Sequence, residues 1–143
     1  MKKEKSCGAI VYKIKNDKIY TLILKMQRGH FSIPKGHVEN NETEVETALR
    51  EIKEETNLNV TINTDFRQVI TYCPFENIVK DVVFFVAEYK RGCLRVQQEE
   101  VAEAKWVLLD KAVDCLTHDS DKNVMNNAIK FIENLKKEGN LCF

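Results

Sequence analysis

The chain has 143 residues, 43% of them hydrophobic, which suits one domain with a buried core and leaves little room for a second domain. Lys and Arg total 22 and Asp and Glu total 22, so the formal net charge is zero. This balance excludes a global basic field that would hold nucleic acid or an anionic membrane, and it favours a small ligand recognised locally. We therefore treat residues 1–143 as a single domain and leave its oligomeric state open.

A β-hairpin is predicted at the start of the chain. Residues 6–14 are rich in β-forming side chains, residues 16–18 supply turn residues, and residues 19–26 alternate in the manner of a strand. Residues 27–41 then contain two glycines, one proline and an Asn-Asn pair. Because these residues break any regular pattern, they predict a long functional loop.

An amphipathic helix is predicted over residues 44–56. Thr43 followed by Glu46 has the spacing of a capping box at the start of a helix. Asn57 tolerates the left-handed backbone conformation that ends helices, so we expect the helix to end there. The apolar side of the helix is expected to carry Val45, Ala48, Leu49 and Ile52.

Three further strands are predicted after the helix. New β-like sequence begins at Val60, residues 66–73 and 82–89 are predicted strands, and residues 106–109 form a shorter one. Residues 82–89 are almost all apolar, which is typical of a central strand that is buried on both faces.

Two helices are predicted near the end of the chain. Asp110 is expected to cap a short helix that reaches Leu116, and residues 121–137 carry an apolar stripe at helical spacing. Strands and helices in this mixture indicate a mixed sheet covered by helices.

The cysteines and the N-terminal residues indicate a reducing compartment. Five cysteines occur, none in a CxxC pair that could hold zinc or form a redox couple: Cys7, Cys73, Cys93, Cys115 and Cys142. They are expected to be small core residues without a catalytic role. The first apolar run, residues 7–12, is too short for a signal or a membrane span, so we expect a cytoplasmic protein.

Three glutamates lie close together at the end of the predicted helix. Glu51 is three residues from Glu54 and four from Glu55, so these carboxylates repel by about 0.2–0.5 kcal/mol per pair. Glu54 and Glu55 are also in the last turn, where the helix dipole disfavours anions by roughly 0.3–1 kcal/mol. A bound cation would reverse both penalties. Mg²⁺ typically takes its oxygen ligands from a few carboxylates, waters and substrate phosphates. The pattern points to phosphoryl chemistry, and its alternative is a solvated Glu-rich helix.

The residues from Gly36 to Leu58 resemble the Nudix box, the motif of the Nudix hydrolase family. The motif is a glycine, five residues, Glu, seven residues, then Arg-Glu-apolar-x-Glu-Glu-x-Gly-apolar, and this chain departs from it at Asn57, where the family has Gly. Because Asn adopts positive φ at modest cost, the departure leaves the carboxylate pattern intact. The matching residues are Gly36, Glu42, Arg50, Glu51, Ile52, Glu54, Glu55 and Leu58.

This resemblance implies a Nudix-type α/β/α sandwich with a mixed sheet. It also implies an enzyme that needs Mg²⁺ or Mn²⁺ and hydrolyses a nucleoside diphosphate linked to another group. Glu51, Glu54 and Glu55 would be metal ligands, and Arg50 would orient them through charge-assisted hydrogen bonds.

Several segments outside the box resemble the asymmetrical diadenosine tetraphosphate hydrolases of this family. They are residues 7–11, residues 30–38, Tyr72, Lys80, and Glu100 placed six residues before Trp106. Together with the box they extend over most of the chain to about residue 110.

The resemblance and the chemistry of these side chains suggest contacts with a nucleotide. Lys35, His37 and Lys80 would contact the phosphate chain, and Tyr72 would stack on a purine at about 1–3 kcal/mol per base. Phe31 stands where the family usually has Trp and is expected to supply an aromatic contact. The alternatives are solvated lysines and a Tyr72 ring that packs on the core.

The remaining motif residues have different expected roles. Glu42 is expected to be structural, while the Gly36 carbonyl would either reach the metal or belong to a simple turn. Glu100 would approach the metals from outside the box, as a ligand or as the base. We take Glu55 as the first choice for the base that removes the proton from water and Glu100 as the second.

The expected activity is therefore hydrolysis of diadenosine tetraphosphate to AMP and ATP. Other Nudix reactions remain open, on RNA 5′ ends, diphosphoinositol phosphates or damaged nucleoside triphosphates. The alternative of another class is a non-catalytic nucleotide-sensing module on the same fold. A basic chain would favour RNA or inositol phosphates, and the three carboxylates of the box argue against sensing alone. The isolated His118 is given no role.

Overall fold

The structure, a computed structural model, describes residues 1–141. Within that range, seven strands and three α-helices form, with one 3₁₀ turn. In chain order they are β1 (Lys2–Lys15), β2 (Lys18–Met26), β3 (Phe31–Ser32), β4 (Lys35–His37), α1 (Glu44–Thr56), β5 (Asn59–Phe75), β6 (Ile78–Arg91), β7 (Val101–Leu108), the 3₁₀ turn (Leu109–Lys111), α2 (Ala112–Cys115) and α3 (Asp119–Lys137).

All strands belong to one mixed sheet. The strand order is β3-β2-β1-β6-β5, with β4 paired to β1 and β7 paired to β2. β1 and β6 run parallel, whereas the other pairs are antiparallel. The mixed sheet is thus confirmed.

The helices cover the sheet on both faces. The cluster on one face contains the buried side chains of α2 and α3, and the cluster on the other face contains those of α1. Alternate residues of β6 enter the two clusters: Val82, Phe84 and Val86 on the α3 side, and Val83, Phe85 and Ala87 on the α1 side. This confirms both the α/β/α sandwich and the central position of the apolar strand, because only a strand buried on both faces can be apolar throughout.

The N-terminal hairpin is confirmed, with longer strands than predicted. Asn16 and Asp17 have φ angles of 52° and 64° and join Lys15 to its partner Lys18, as in the two-residue turns that favour positive φ. β1 begins at Lys2 because its first residues pair in parallel with β6, a long-range contact that local sequence does not reveal.

The predicted loop over residues 27–41 contains two short strands. Ser32 in β3 pairs with Leu24, and Gly36 in β4 pairs with Cys7. Pairing with preformed neighbours thus stabilises segments whose own sequence has no strand periodicity.

Three other local predictions need correction. The β-like sequence that begins at Val60 and the strand predicted over residues 66–73 form one strand, β5, which bulges between Asn63 and Arg67. Asp110 does not cap α2, because it lies inside the 3₁₀ turn and Lys111 holds the cap position. Leu49 is 37% exposed and lies outside the buried stripe of α1.

Candidate active site

Helix α1 is fixed at both ends by its own sequence. The Thr43 hydroxyl accepts from the Glu46 amide at 3.1 Å, and the Glu46 carboxylate accepts from the Thr43 amide at 2.8 Å. At the other end Asn57 has a φ of 67°, and its amide donates to the Lys53 carbonyl at 2.9 Å. The capping box and the left-handed terminus are therefore confirmed, and the terminus places the three glutamates in the final turns.

Two of these glutamates lie on the buried stripe of the helix. Glu51 is 9% exposed and Glu55 is 2% exposed, while Ala48 and Ile52 beside them are fully buried. The Glu54 side chain is 48% exposed. Burying carboxylates costs free energy unless a partner compensates them, which marks this stripe as more than a packing surface.

Arg50 forms hydrogen bonds to three carboxylates. Its Nε and Nη2 donate to Glu42 at 2.7 and 3.0 Å, and its Nη1 donates to Glu51 at 2.8 Å and to Glu54 at 3.2 Å. Nη2 also donates to the His37 carbonyl at 2.8 Å. The Arg50 hydrogen bonds lower the pKa of Glu42 to about 2, and the carboxylates raise the pKa of Arg50. Arg50 thus orients two of the three glutamates, while Glu42 anchors Arg50.

Gly36 is required by close packing. It lies within strand β4, which rules out the simple turn considered above. A Cβ at this position would overlap the carboxylate of Glu51. The absence of a side chain therefore lets the Glu51 carboxylate lie against the backbone of β4.

Glu55 is the most deeply buried of the acids. Its Oε1 accepts from the Lys35 amide at 3.2 Å. Burial, reinforced by the neighbouring charge of Glu51, raises the pKa of Glu55 to about 8. Burial also raises the pKa of Glu51, although Arg50 opposes the effect. Both shifts show that a negative charge is disfavoured here without a cation.

A pocket of about 370 Å³, called the carboxylate pocket below, brings most of the predicted residues together. Glu100 reaches it from the turn before β7, where its carbonyl accepts from the Gln27 amide at 2.9 Å. The pocket is lined by Ser6, Met26, Lys35, Gly36, His37, Glu39, Glu51, Glu54, Glu55, Lys80, Gln97 and Glu100.

The donors in this pocket fit a hard divalent cation. Five glutamates line the pocket, and their side chains carry carboxylate oxygens, the ligand type that Mg²⁺ prefers. A cation would also offset the burial and the Glu51 charge that together raise the pKa of Glu55. Within residues 1–141, no three acidic, His or Cys side chains converge at metal-binding spacing. Arg50 holds oxygens of Glu51 and Glu54, so convergence would require these side chains to turn.

A second pocket of about 480 Å³ adjoins the first and is called the Tyr72 pocket below. Lys35 lines both pockets, and Tyr72 is 42% exposed, which leaves its side chain free to contact a ligand. The lining consists of His30, Ser32, Lys35, Ile70, Tyr72, Val82, His118, Asp119, Ser120 and Asp121.

Sequence reasoning gave no role to three residues of the Tyr72 pocket. The rings of His30 and His118 lie 5.5 Å apart, and Asp121 is only 4% exposed. Burial, with the charge of His118, lowers the pKa of His30, and burial raises the pKa of Asp121. The polar residues at the start of α3 were a usable signal, but their approach to His30 depends on a contact between distant loops.

Phe31 is placed differently from the other predicted site residues. It packs against the apolar cluster on the α3 face, and its amide donates to the Thr117 hydroxyl at 2.8 Å. Lys25 Nζ lies 6.0 Å from the centre of its ring. Phe31 therefore holds the two loops together at the edge of the Tyr72 pocket, and its contact with substrate stays a prediction.

The described cysteines form no disulfide bond. Cys7, Cys73, Cys93 and Cys115 are free thiols, and Cys142 lies outside the described residues. Burial raises the pKa of Cys7 to about 11, so its thiol is protonated at neutral pH. Among residues 1–141, no helix is both long enough and apolar enough to cross a membrane.

The chain is similar to known proteins over nearly its whole length. The family model of the NUDIX domain matches residues 4–131. The asymmetrical bis(5′-nucleosyl)-tetraphosphatase of Sus scrofa is 31% identical over 140 residues, covering 90% of this chain and 95% of the relative. The tetraphosphatase of Caenorhabditis elegans is 30% identical over 114 residues, covering 76% of this chain and 82% of the relative.

Solved structures agree with these relatives. A binary complex of the C. elegans Ap4A hydrolase superimposes with a TM-score of 0.82 at 26% identity, covering 92% of this chain and 98% of that one. The NUDIX domain of Shewanella oneidensis NrtR, solved with ADP ribose, superimposes with a TM-score of 0.75 at 13% identity, over 92% of this chain and 90% of that one, and shares the fold. The chain therefore belongs to the NUDIX family of hydrolases.

Proposed function

We propose that this enzyme hydrolyses diadenosine tetraphosphate asymmetrically, giving AMP and ATP. The observation that carries the proposal is the pair of adjoining pockets that share Lys35, one lined by carboxylates and the other by a half-exposed tyrosine. A nucleoside and a phosphate chain need these two environments side by side. The names of the tetraphosphatase relatives support the same substrate.

The nucleotide would bind across both pockets. Tyr72 would stack on the adenine, and Lys35, His37 and Lys80 would contact the phosphates. Burial, with the charge of Lys35, lowers the pKa of Lys80, so an added anion would strengthen its charged form. Phe31 would support the pocket by holding its loop in place.

The carboxylates would hold the metal and handle the proton. Glu51, Glu54, Glu55 and Glu100 would hold Mg²⁺ or Mn²⁺, together with the carbonyl of Gly36. When bound, such an ion lowers the pKa of water and neutralises charge on phosphate oxygens.

The chain's own residues would complete the hydrolysis. Water would form a bond to one phosphorus, the bond from that phosphorus to the bridging oxygen would break, and the leaving nucleotide would keep the electron pair. Glu55 would take the proton of the water, with Glu100 as the second candidate. Arg50 would orient the carboxylates of Glu51 and Glu54 once these side chains have turned toward the metal.

We further propose that residues 1–143 work as one domain in the cytoplasm. The domain would bind a small nucleotide and would bind neither nucleic acid nor a membrane. The even balance of 22 basic and 22 acidic residues supports a locally recognised ligand.

A product profile tests the proposal. Purified protein is incubated with dinucleoside polyphosphates, nucleoside triphosphates, diphosphoinositol phosphates and triphosphorylated RNA, and the products are separated by chromatography. AMP and ATP are expected from diadenosine tetraphosphate, whereas a symmetric cut would give two ADP. An efficiency at least about tenfold higher on any other substrate, a gap of about 1.4 kcal/mol in transition-state binding, would overturn the substrate assignment.

Two substitutions test the role of the carboxylates. Glu54→Gln or Glu55→Gln should lower kcat by at least about 10²-fold with the fold intact, since a charge that acts in the transition state is lost. Excess chelator should abolish turnover of the unmodified protein. Normal turnover in chelator would contradict the metal requirement.

A further inference from the structure

The hydroxyl of Ser6 is buried without a partner. Ser6 is 1% exposed, and its Oγ is the buried side-chain oxygen or nitrogen atom that finds no hydrogen bond among residues 1–141. Buried polar groups in proteins are nearly always hydrogen-bonded, because leaving one unpaired costs free energy. The Ser6 hydroxyl therefore calls for a hydrogen-bond partner other than the described residues.

Ser6 belongs to the wall of the carboxylate pocket, and its strand neighbour Val82 belongs to the wall of the Tyr72 pocket. It lines the carboxylate pocket together with Lys35 and Lys80. In the sheet it pairs with His37 of β4 on one side and with Val82 of β6 on the other. Val82 in turn lines the Tyr72 pocket. A phosphate chain that joins a nucleoside in the Tyr72 pocket to the carboxylates would run along the wall to which Ser6 belongs.

The lysines that line the same pocket indicate which kind of group would accept a hydrogen bond from Ser6. Lys35 and Lys80 only donate hydrogen bonds and carry positive charge, so the group that satisfies all three is an anion with several acceptor oxygens. A non-bridging phosphate oxygen fits this description, and a hydroxyl is a normal donor to it.

We propose that the Ser6 hydroxyl donates a hydrogen bond to a non-bridging oxygen of the substrate's phosphate chain. This inference rests on the proposed function, because it assumes that a polyphosphate crosses from one pocket to the other. It adds a phosphate contact from β1, outside the box and its helix.

Binding measurements on Ser6→Ala test the inference. Calorimetry with fixed Mg²⁺ compares three probes: a methylene-bridged, non-hydrolysable analogue of diadenosine tetraphosphate, inorganic tripolyphosphate, and adenosine. We expect Ser6→Ala to bind the analogue and tripolyphosphate about tenfold more weakly, about 1.4 kcal/mol, and adenosine as tightly as the unmodified protein. The melting temperature of the free variant should be equal or higher, because an unpaired hydroxyl is removed.

Two control variants separate a phosphate contact from a structural role. Cys has the same shape as Ser with a larger atom at its tip, and its thiol is only a weak hydrogen-bond donor, so Ser6→Cys should bind the probes like Ser6→Ala. Thr21→Val removes a buried hydroxyl that already donates to the Val11 carbonyl at 2.8 Å. It should lower the melting temperature and leave the affinities unchanged.

Several outcomes would overturn the inference. They are equal binding of tripolyphosphate by Ser6→Ala and the unmodified protein, no binding of tripolyphosphate by either, and restored binding in Ser6→Cys. A lower melting temperature of Ser6→Ala with weaker binding of all probes would show a structural role through a trapped water. Failure of the proposed function is visible separately: Ser6-dependent tripolyphosphate binding without cleavage of diadenosine tetraphosphate would refute only the substrate.

Discussion

Replacing Glu55 by Gln should stabilise the metal-free protein at alkaline pH. The Glu55 carboxylate is 2% exposed, and burial with the charge of Glu51 raises its pKa to about 8. Gln keeps the shape and an oxygen that accepts from the Lys35 amide, but it removes the buried charge. The variant therefore isolates the free-energy cost of ionising this carboxyl group in the fold.

The sign and the size follow from proton linkage. Because the folded pKa is raised, the folded protein holds a proton that the unfolded chain releases between pH 4.5, the ordinary value, and about pH 8. The stabilising effect of that proton is complete below pH 4.5 and is lost as pH rises through 8. A shift from 4.5 to about 8 corresponds to roughly 5 kcal/mol as an upper limit. Glu55→Gln does not undergo this loss, so its free energy of unfolding exceeds that of the unmodified protein by an amount that grows from pH 4.5 to about pH 8.

Thermal unfolding in excess chelator at pH 5, 7 and 9 measures this difference. Each kcal/mol should change the melting temperature by about 3 °C for a chain of this length. Glu54→Gln is the matched control, because Glu54 is on the same turn with a side chain 48% exposed, and its difference should stay small. Adding Mg²⁺ should stabilise the unmodified protein more than Glu55→Gln. A difference that is constant from pH 5 to pH 9 would refute the reasoning.

Three other substitutions test single features of the site. Asn57→Gly removes a positive-φ penalty, but it also removes the hydrogen bond from Nδ2 to the Cys93 carbonyl at 3.0 Å. Denaturant titration should therefore show a net change below about 1 kcal/mol in the free energy of unfolding. A loss above about 2 kcal/mol would argue against the left-handed terminus. Gly36→Ala should displace the Glu51 carboxylate and lower kcat by about 10²-fold at unchanged substrate affinity, and near-normal kinetics would contradict the close packing. Tyr72→Ala should reduce kcat/KM on adenine dinucleotides by about 1–3 kcal/mol, with binding of tripolyphosphate unaffected; equal losses for both ligands would exclude stacking.

The helix that carries the carboxylates could be predicted closely from the sequence. Thr43, Glu46 and Asn57 encode its two ends through contacts between near neighbours, which is why its bounds agree with the structure. Which side of the helix faces the sheet was harder to predict from the sequence. The buried stripe includes Glu51 and Glu55 in place of Leu49, because the sheet meets the helix on the side where the carboxylates enter the pocket.

The Tyr72 pocket could not be assembled from local patterns. Its wall joins a loop after β2 to the start of α3, and the link is the hydrogen bond from the Phe31 amide to the Thr117 hydroxyl. These residues are 86 positions apart, so no periodicity relates them. Gly36 and Arg50 were predicted because both match the Nudix box, whose spacing is visible in the sequence.

The placement of Glu55 links the stability of the fold to its chemistry. A helix that only packed would present apolar side chains beside Ala48 and Ile52, yet this one buries two carboxylates there. Arg50 compensates Glu51 but has no hydrogen bond to Glu55 among the described residues, so Glu55 stays protonated near neutral pH unless a cation is present. Binding of a divalent cation should then release a proton from Glu55, and calorimetry of Mg²⁺ binding in buffers of different ionisation enthalpy measures that release. Between pH 6 and 7 the unmodified protein should release close to one proton more than Glu55→Gln; equal release by the two proteins would mean that Glu55 is already ionised without the metal.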